Sequence, residues 1–199
     1  EPLATGVVTI PSVRLGEVPM QSRVTFQGVS VIGVDDYFVY VADPSGGANS
    51  GFRIADPDRA VRLAVGDKID VDFMVQSETS GRLIQSRVTG MAQGPQAVTV
   101  SREEFEAPAF QYALVRIEQL TVTQPDPFLE FVEEDEETQV YGDRNAAFEI
   151  NLGTVSRRLT LPPFPYLRAG DLFDAIEGVL IRHAYSLIQD GVLAEKNVA

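Results

Sequence analysis

The sequence predicts an all-β protein made of two tandem, five-stranded barrels. Long helical periodicity is nearly absent, and the strongest segments alternate or carry β-branched and aromatic residues between turn signals. The chain also repeats itself. "RLAVGDKIDVDFMV…RLIQS" within residues 62–86 returns as "YLRAGDLFDAIEGV…SLIQD" within 166–190. Leu63, Gly66, Asp67, Asp70, Leu83, Ile84 and Gln85 recur as Leu167, Gly170, Asp171, Asp174, Leu187, Ile188 and Gln189, each pair 104 positions apart. A self-match at one fixed offset is the mark of a duplicated structural unit.

The first copy divides into "RVTFQGVSVI" (23–32), "YFVYVAD" (37–43), "FRIA" (52–55), "KIDVDFMVQ" (68–76) and "LIQSRVTGM" (83–91). Asp35-Asp36, "DPSGGANSG" (43–51), Gly66-Asp67 and Ser80-Gly81 bound them with turn chemistry. Closing five short strands into a barrel removes edges that an open sheet would leave unprotected. Between the third and fourth strands, "DPDRAVRLAVGD" (56–67) permits a short helix or an irregular plug. Three strands, a short connection and two more strands is the OB-fold layout.

Gly66 and Gly170 each stand where a connection enters the fourth strand. A glycine there takes positive φ without penalty, and the following Asp accepts a hydrogen bond from nearby backbone N–H groups. Neither copy has a partner motif for metal or acid–base chemistry at this turn, so Asp67 and Asp171 read as structural.

After residue 92, Ser101 and Glu104 have capping-box spacing and Pro108 closes the short helix they begin. The boundary falls near 93–100, giving a first domain over 1–97 and a second over 98–199. The second runs through "ALVRIEQLTVT" (113–123), "TQVYGD" (138–143), "AFEINL" (147–152), "LFDAIEGVLI" (172–181) and "YSLIQDGVLAE" (185–195). "LTLPPFPYL" (159–167) reads as an extended crossover before the repeated turn. The segment 126–143 carries eight acidic residues and no basic one, and lacks the EF-hand pattern; it reads as a solvated insertion.

The composition narrows function. A 199-residue chain with 44% hydrophobic residues can bury real cores. Its formal charge of −13 argues against sequence-independent polyanion binding by the whole surface, and confines any such site to a local basic groove. With no cysteine, disulfides, thiolate metal sites and a cysteine nucleophile are excluded. No apolar run approaches the roughly 20 residues that span a bilayer. The opening "EPLATGVVTI" is not a signal peptide and fits a mature or trimmed fragment.

"VTIPSVRLGEVPMQSRVTFQGVSVIGVDDYFVYVADPSGGANSGFRI" (8–54), followed by "LAVGDKIDVDFMV", resembles OB-type domains of secreted bacterial proteins. Such domains accompany extracellular endonuclease/exonuclease/phosphatase nucleases and occur in lipoproteins credited with nucleic-acid binding. "FQYALVRIEQLTVT" (110–123) is similar to the start of the second barrel in tandem arrangements. The resemblance implies export, to the periplasm, the outer membrane as a lipoprotein, or the exterior, and handling of extracellular nucleic acid. Those nucleases use Asn, Glu, Asp and His around a divalent metal. This chain shows no such set, and its single histidine, His183, makes neither a zinc site nor a triad. No catalytic residue, cofactor or metal is expected.

OB-folds commonly bind oligonucleotides or oligosaccharides across strands two and three. Tyr37, Phe38, Tyr40 and Phe52 lie there, with Arg53 beside Phe52. Aromatic faces stack on bases and guanidinium groups meet phosphates. Strand alternation sets Phe38 and Tyr40 against Tyr37, Val39 and Val41, so only one set faces outward. The nucleic-acid-binding candidates are Tyr40, Phe52, Arg53, Arg23 and Arg82, with Arg87 near the same groove. "DPSGGANSG" lacks the ending of a P-loop and reads as a strand connection. The leading expectation is a non-catalytic exported protein that binds single-stranded nucleic acid or another extended polyanion on its first barrel. The alternative is an envelope module that binds a protein or a glycan. An acidic or apolar groove favours the alternative, and a basic–aromatic one the first.

Overall fold

Alternation builds the first sheet. In β2 (Arg23–Val34), Val24 and Phe26 point inward while Arg23, Thr25 and Gln27 point out. At Gly28, where φ is +65°, the register with the neighbouring strand β5 (Asp67–Ser77) shifts and pairing resumes at Val29. This bulge curls β2. Its first part pairs with β5, its last with β3 (Phe38–Ala42), and Ser30 lies opposite both Lys68 and Ala42. The computed structural model describes residues 3–34, 37–56, 62–124, 146–151, 156–161, 170, 172–180, 185–189 and 192–196.

β3 pairs antiparallel with β4 (Gly51–Ala55), and β5 with β6 (Ser80–Met91). β4 and β6 run parallel, Arg53 opposite Ser80 and Ala55 opposite Arg82. The order β2-β3-β4-β6-β5 returns to β2, so five strands form a ring of OB type. A three-residue strand, β1 (Thr5–Val7), lies parallel to Arg23–Thr25.

Three phenylalanines fill the ring. Phe26 and Phe52 meet edge to face at 5.2 Å, and Phe73 lies 4.4 Å from Phe26 and 5.2 Å from Phe52. Val24, Val41, Ile54, Ile69 and Val71 surround them. Each such side chain, fully buried, contributes about 1.5–3 kcal/mol of hydrophobic stabilisation. Gly81 faces this core, and a Cβ there would lie 2.3 Å from the Phe73 ring, so only glycine leaves the ring its place.

Helix α1 (Ile10–Arg14) was not expected from the sequence. The Thr9 side chain caps it by accepting from the Ser12 N–H, Pro11 sits in its first turn, and Ile10 and Val13 enter the barrel core fully buried. Buried Arg14 donates to the Pro108 carbonyl. The turn before β5 forms as expected: Gly66 has φ +97° and Asp67 accepts from the Ala64 N–H at 2.8 Å. Gly170, its counterpart, has φ +93°, while Asp171 lies outside the described residues. Residues 57–61 of the connection before β5 also lie outside them, and 62–64 are irregular.

The expected capping box opens α2 (Arg102–Glu106). Ser101 Oγ accepts from the Glu104 N–H, and Glu104 accepts from the Ser101 N–H at 2.8 Å. A 3-10 turn (Pro108–Phe110) follows, and β7 (Val98–Thr99) pairs in parallel with the start of β8 (Leu114–Gln124).

The chain divides into two units, Glu1–Arg116 with Glu177–Ala199, and Ile117–Ile176. In the second, the end of β8 pairs antiparallel with β9 (Ala146–Asn151), and β9 with β10 (Ser156–Leu161). β10 enters the stretch expected to be a crossover. β11 (Leu172–Val179) follows Gly170 as β5 follows Gly66. The last expected strand is instead two, β12 (Tyr185–Gln189) and β13 (Val192–Lys196), paired antiparallel. The acidic segment 126–143, the strand expected at 138–143 and His183 lie outside the described residues.

Candidate functional site

Phe52 does not present its ring to a ligand. Its strand places it inward, fully buried against Phe26 and Phe73, where no base can stack on it. Tyr40 does face outward, as its alternation with Val39 and Val41 requires, yet it is also buried. Tyr112 lies on it at 5.7 Å between ring centroids, and Leu114 and Val179 pack on the same patch with Ile32 and Ala42. The outer face of β3, where OB-type ligands usually lie, is therefore occupied by the chain's own side chains.

The cover is held firmly. A Cβ on Gly51 would stand 2.0 Å from the Tyr112 carbonyl oxygen. Tyr112 has φ +63°, a left-handed conformation that costs a non-glycine residue about 1–2 kcal/mol. It is kept there by hydrogen bonds from the Tyr112 N–H to Leu180 O at 2.7 Å and from the Leu180 N–H to Ala113 O at 3.1 Å. Beside it, the Arg116–Glu177 pair closes at 2.8 Å.

Arg53, Arg82 and Arg23 are brought to one surface. Phe38 lies opposite Ala55, Ala55 opposite Arg82, Arg82 opposite Met74, and Met74 opposite Arg23. Register partners share a face, so these five side chains form one row outside the barrel. Arg53, two residues before Ala55 on β4, points to the same side. Its guanidinium carbon lies 4.4 Å from the Phe38 ring centroid and 5.1 Å from that of Tyr112. Cation–π contacts of this kind orient the guanidinium; Arg53 is half-buried, and its Nε is buried without a hydrogen-bond partner among the described residues. Arg23 and Arg82 are exposed, and no ion pair ties either down among the described residues. Met74 and Tyr112 thus join the site without having been named from the sequence, and so does Phe38, which was named on the ligand face but not among the binding candidates. For Phe38 the alternation signal was present; for Tyr112 no local pattern announces a contact with a strand about 70 residues earlier.

Next to the arginines runs a polar row. Thr25 and Gln85 flank Asp72, and Thr25 Oγ1 donates to Asp72 Oδ1 at 2.6 Å. Asp70 accepts from the Gly28 N–H at 3.0 Å and from Arg87 at 2.8 Å. Bonding to Arg87 and then to Gly28 holds the Asp70 carboxyl below its ordinary value. Arg87, expected to line a basic groove, is thus paired. These residues and Gln27 line a shallow groove of about 250 Å³. Among the described residues, no group of three or more His, Asp or Glu is placed to hold a metal ion.

No protein-family model and no curated protein matches the chain. Two solved structures are similar to it. One is the crystal structure of the S. pombe Stn1-Ten1 complex, at TM-score 0.37 and 10% identity, covering 45% of this chain and 80% of that one. The other is the telomere capping protein Ten1 from Saccharomyces pombe, at TM-score 0.36 and 11% identity, covering 43% and 81%.

Proposed function

We propose that this chain is a non-catalytic binding protein whose first barrel holds single-stranded nucleic acid, or another extended polyanion, along the arginine row. The observation that carries this reading is the alignment of Arg23, Met74 and Arg82 across β2, β5 and β6, with Arg53 fixed beside them by Phe38. Adjacent strands lie about 4.8 Å apart, so Arg23 and Arg82 are separated by roughly 10 Å across the sheet. A polyanion crossing the strands meets three cations, with Met74 between Arg23 and Arg82 and Phe38 at the far end beside Arg53.

The net charge of −13 opposes any general attraction, so binding depends on this row alone and weakens steeply with salt. A labelled single-stranded oligonucleotide titrated at low salt tests it by fluorescence anisotropy. Binding is expected for the wild type and loss for an Arg23→Ala, Arg82→Ala variant that melts at the same temperature. Absence of binding to any oligonucleotide at low salt defeats the reading.

The polar groove favours a second reading, an envelope module for a protein or a glycan. Thr25, Gln27, Asp72 and Gln85 offer hydroxyl, amide and carboxylate groups without an aromatic platform. A ligand held there would bind with little dependence on salt. Export, and a second OB-type barrel in the later half, belong to the proposal. The duplicated sequence and the matching positive φ of Gly66 and Gly170 support the latter.

A further inference from the structure

We infer that the polar groove beside the arginine row reads bases, with Asp72 as the acceptor for guanine, an inference that rests on the single-strand reading above. Parallel rows cross β2, β5 and β6 on the outer face. The first is Arg23–Met74–Arg82, the second Thr25–Asp72–Gln85, and the Asp70–Arg87 pair lies beyond them. Met74 and Asp72 are two residues apart on β5, so the first two rows lie roughly 7 Å from each other. A strand whose phosphates follow the first row places the bases on that side over the second.

The two groove carboxylates differ. Asp70 is taken: it accepts from Arg87 at 2.8 Å and from the Gly28 N–H at 3.0 Å, and exposed Lys68 stands two residues away on β5. Asp72 accepts at Oδ1 from the Thr25 hydroxyl at 2.6 Å, which fixes its orientation. Among the described residues nothing bonds its Oδ2 and no cation pairs with it. Exposed Gln27 and Gln85 line the same groove with amides that both donate and accept. A fixed carboxylate only accepts, so it selects for donors, and Oδ1 keeps a second lone pair for this. Guanine offers two adjacent donors, N1–H and the 2-amino group, one for each carboxylate oxygen. Adenine and cytosine offer one amino group beside an acceptor nitrogen. Thymine offers one N–H between two carbonyl oxygens, which the carboxylate repels.

The Asp72 charge also repels every phosphate on the row, whatever the base, so the readout is a ratio of affinities between strands of equal length. Anisotropy at low salt compares an all-thymine strand with one alternating thymine and guanine. The wild type is expected to bind the guanine strand about tenfold more tightly, the low end of what a bidentate base contact contributes. A thymine–inosine strand, which lacks the 2-amino group, is expected to lose most of that gain. Asp72→Asn keeps an acceptor for the Thr25 hydroxyl and replaces the second acceptor with a donor. It is expected to bind the thymine strand at least as tightly as the wild type, which shows that it is folded, and to bring the ratio within about twofold. Equal binding of the guanine and thymine strands by the wild type, inosine bound as tightly as guanine, or a ratio that survives Asp72→Asn overturns the inference while leaving the polyanion site standing. Failure of every strand to bind removes the site itself and the base reading with it.

Discussion

Arg23 and Arg82 stand opposite the same residue, Met74, from the two sides of β5. Because β5 has a partner on each edge, residues far apart in sequence become neighbours across three strands. Closure of the ring brings Arg53 to the same surface through the parallel pairing of β4 with β6. Barrel closure, and no local motif, creates the candidate site.

The number of cations sets the salt dependence. Three arginines meeting phosphates give a slope of log K against log salt of about −2 for a single strand. Arg82→Ala is expected to reduce it to about −1.4, one phosphate fewer. A slope unchanged by that substitution would place the phosphates elsewhere.

Phe52→Ala leaves a cavity between Phe26 and Phe73 and is expected to cost about 3–5 kcal/mol of unfolding free energy. Urea denaturation reads this directly. Phe52→Leu, which fills more of the space, is expected to retain oligonucleotide affinity within about twofold, the scatter a non-contacting core change allows. Selective loss of binding in a stable Phe52→Leu protein contradicts the inward placement.

Much of the barrel was legible beforehand, because one buried face forces period-two alternation. The strands at 23–32, 37–43, 52–55, 68–76 and 83–91 all formed, with their ends moved by a few residues. The Gly66 turn and the Ser101–Glu104 cap were legible because each is a local device with a fixed spacing. Helix α1 escaped because a helix of five residues is too short to display a period. The site was half legible. Arg23 and Arg82 are exposed and Arg53 half-buried, but Phe52 lies one residue from Arg53, and that single step sends it to the opposite face. Burial of Tyr40 by Tyr112 is a long-range contact that no pattern within β3 could announce.

The close approach at Gly51 makes a sharp stability test. An added Cβ would meet the Tyr112 carbonyl at 2.0 Å, and backbone cannot yield as a flexible side chain can. Gly51→Ala is expected to lose about 2–3 kcal/mol, with Tyr112 losing its ordered ring environment by NMR. A change within about 0.5 kcal/mol, the range of an ordinary surface substitution, would contradict the packing of that turn on β4.

Asp70 gives a pH dependence with a definite sign. Its carboxyl is held below the ordinary 3.8 by Arg87 and the Gly28 amide, so the folded state binds its proton less readily than the unfolded one. That stabilisation is complete above 3.8 and fades as pH falls through the folded-state value. Urea midpoints for wild type and Asp70→Asn should therefore differ most near neutrality and converge in acid. A difference that grows on acidification has the wrong sign for this account.

The central claim is tested most directly by NMR, following backbone amides and the Met74 methyl while a short single-stranded oligonucleotide is added at low salt. The account requires the largest shifts at Arg23, Arg53, Met74 and Arg82, with small ones at Phe26, Phe52 and Phe73. No shifts at all, or shifts centred on the Thr25–Gln27–Gln85 groove with the arginine row unchanged, would contradict it.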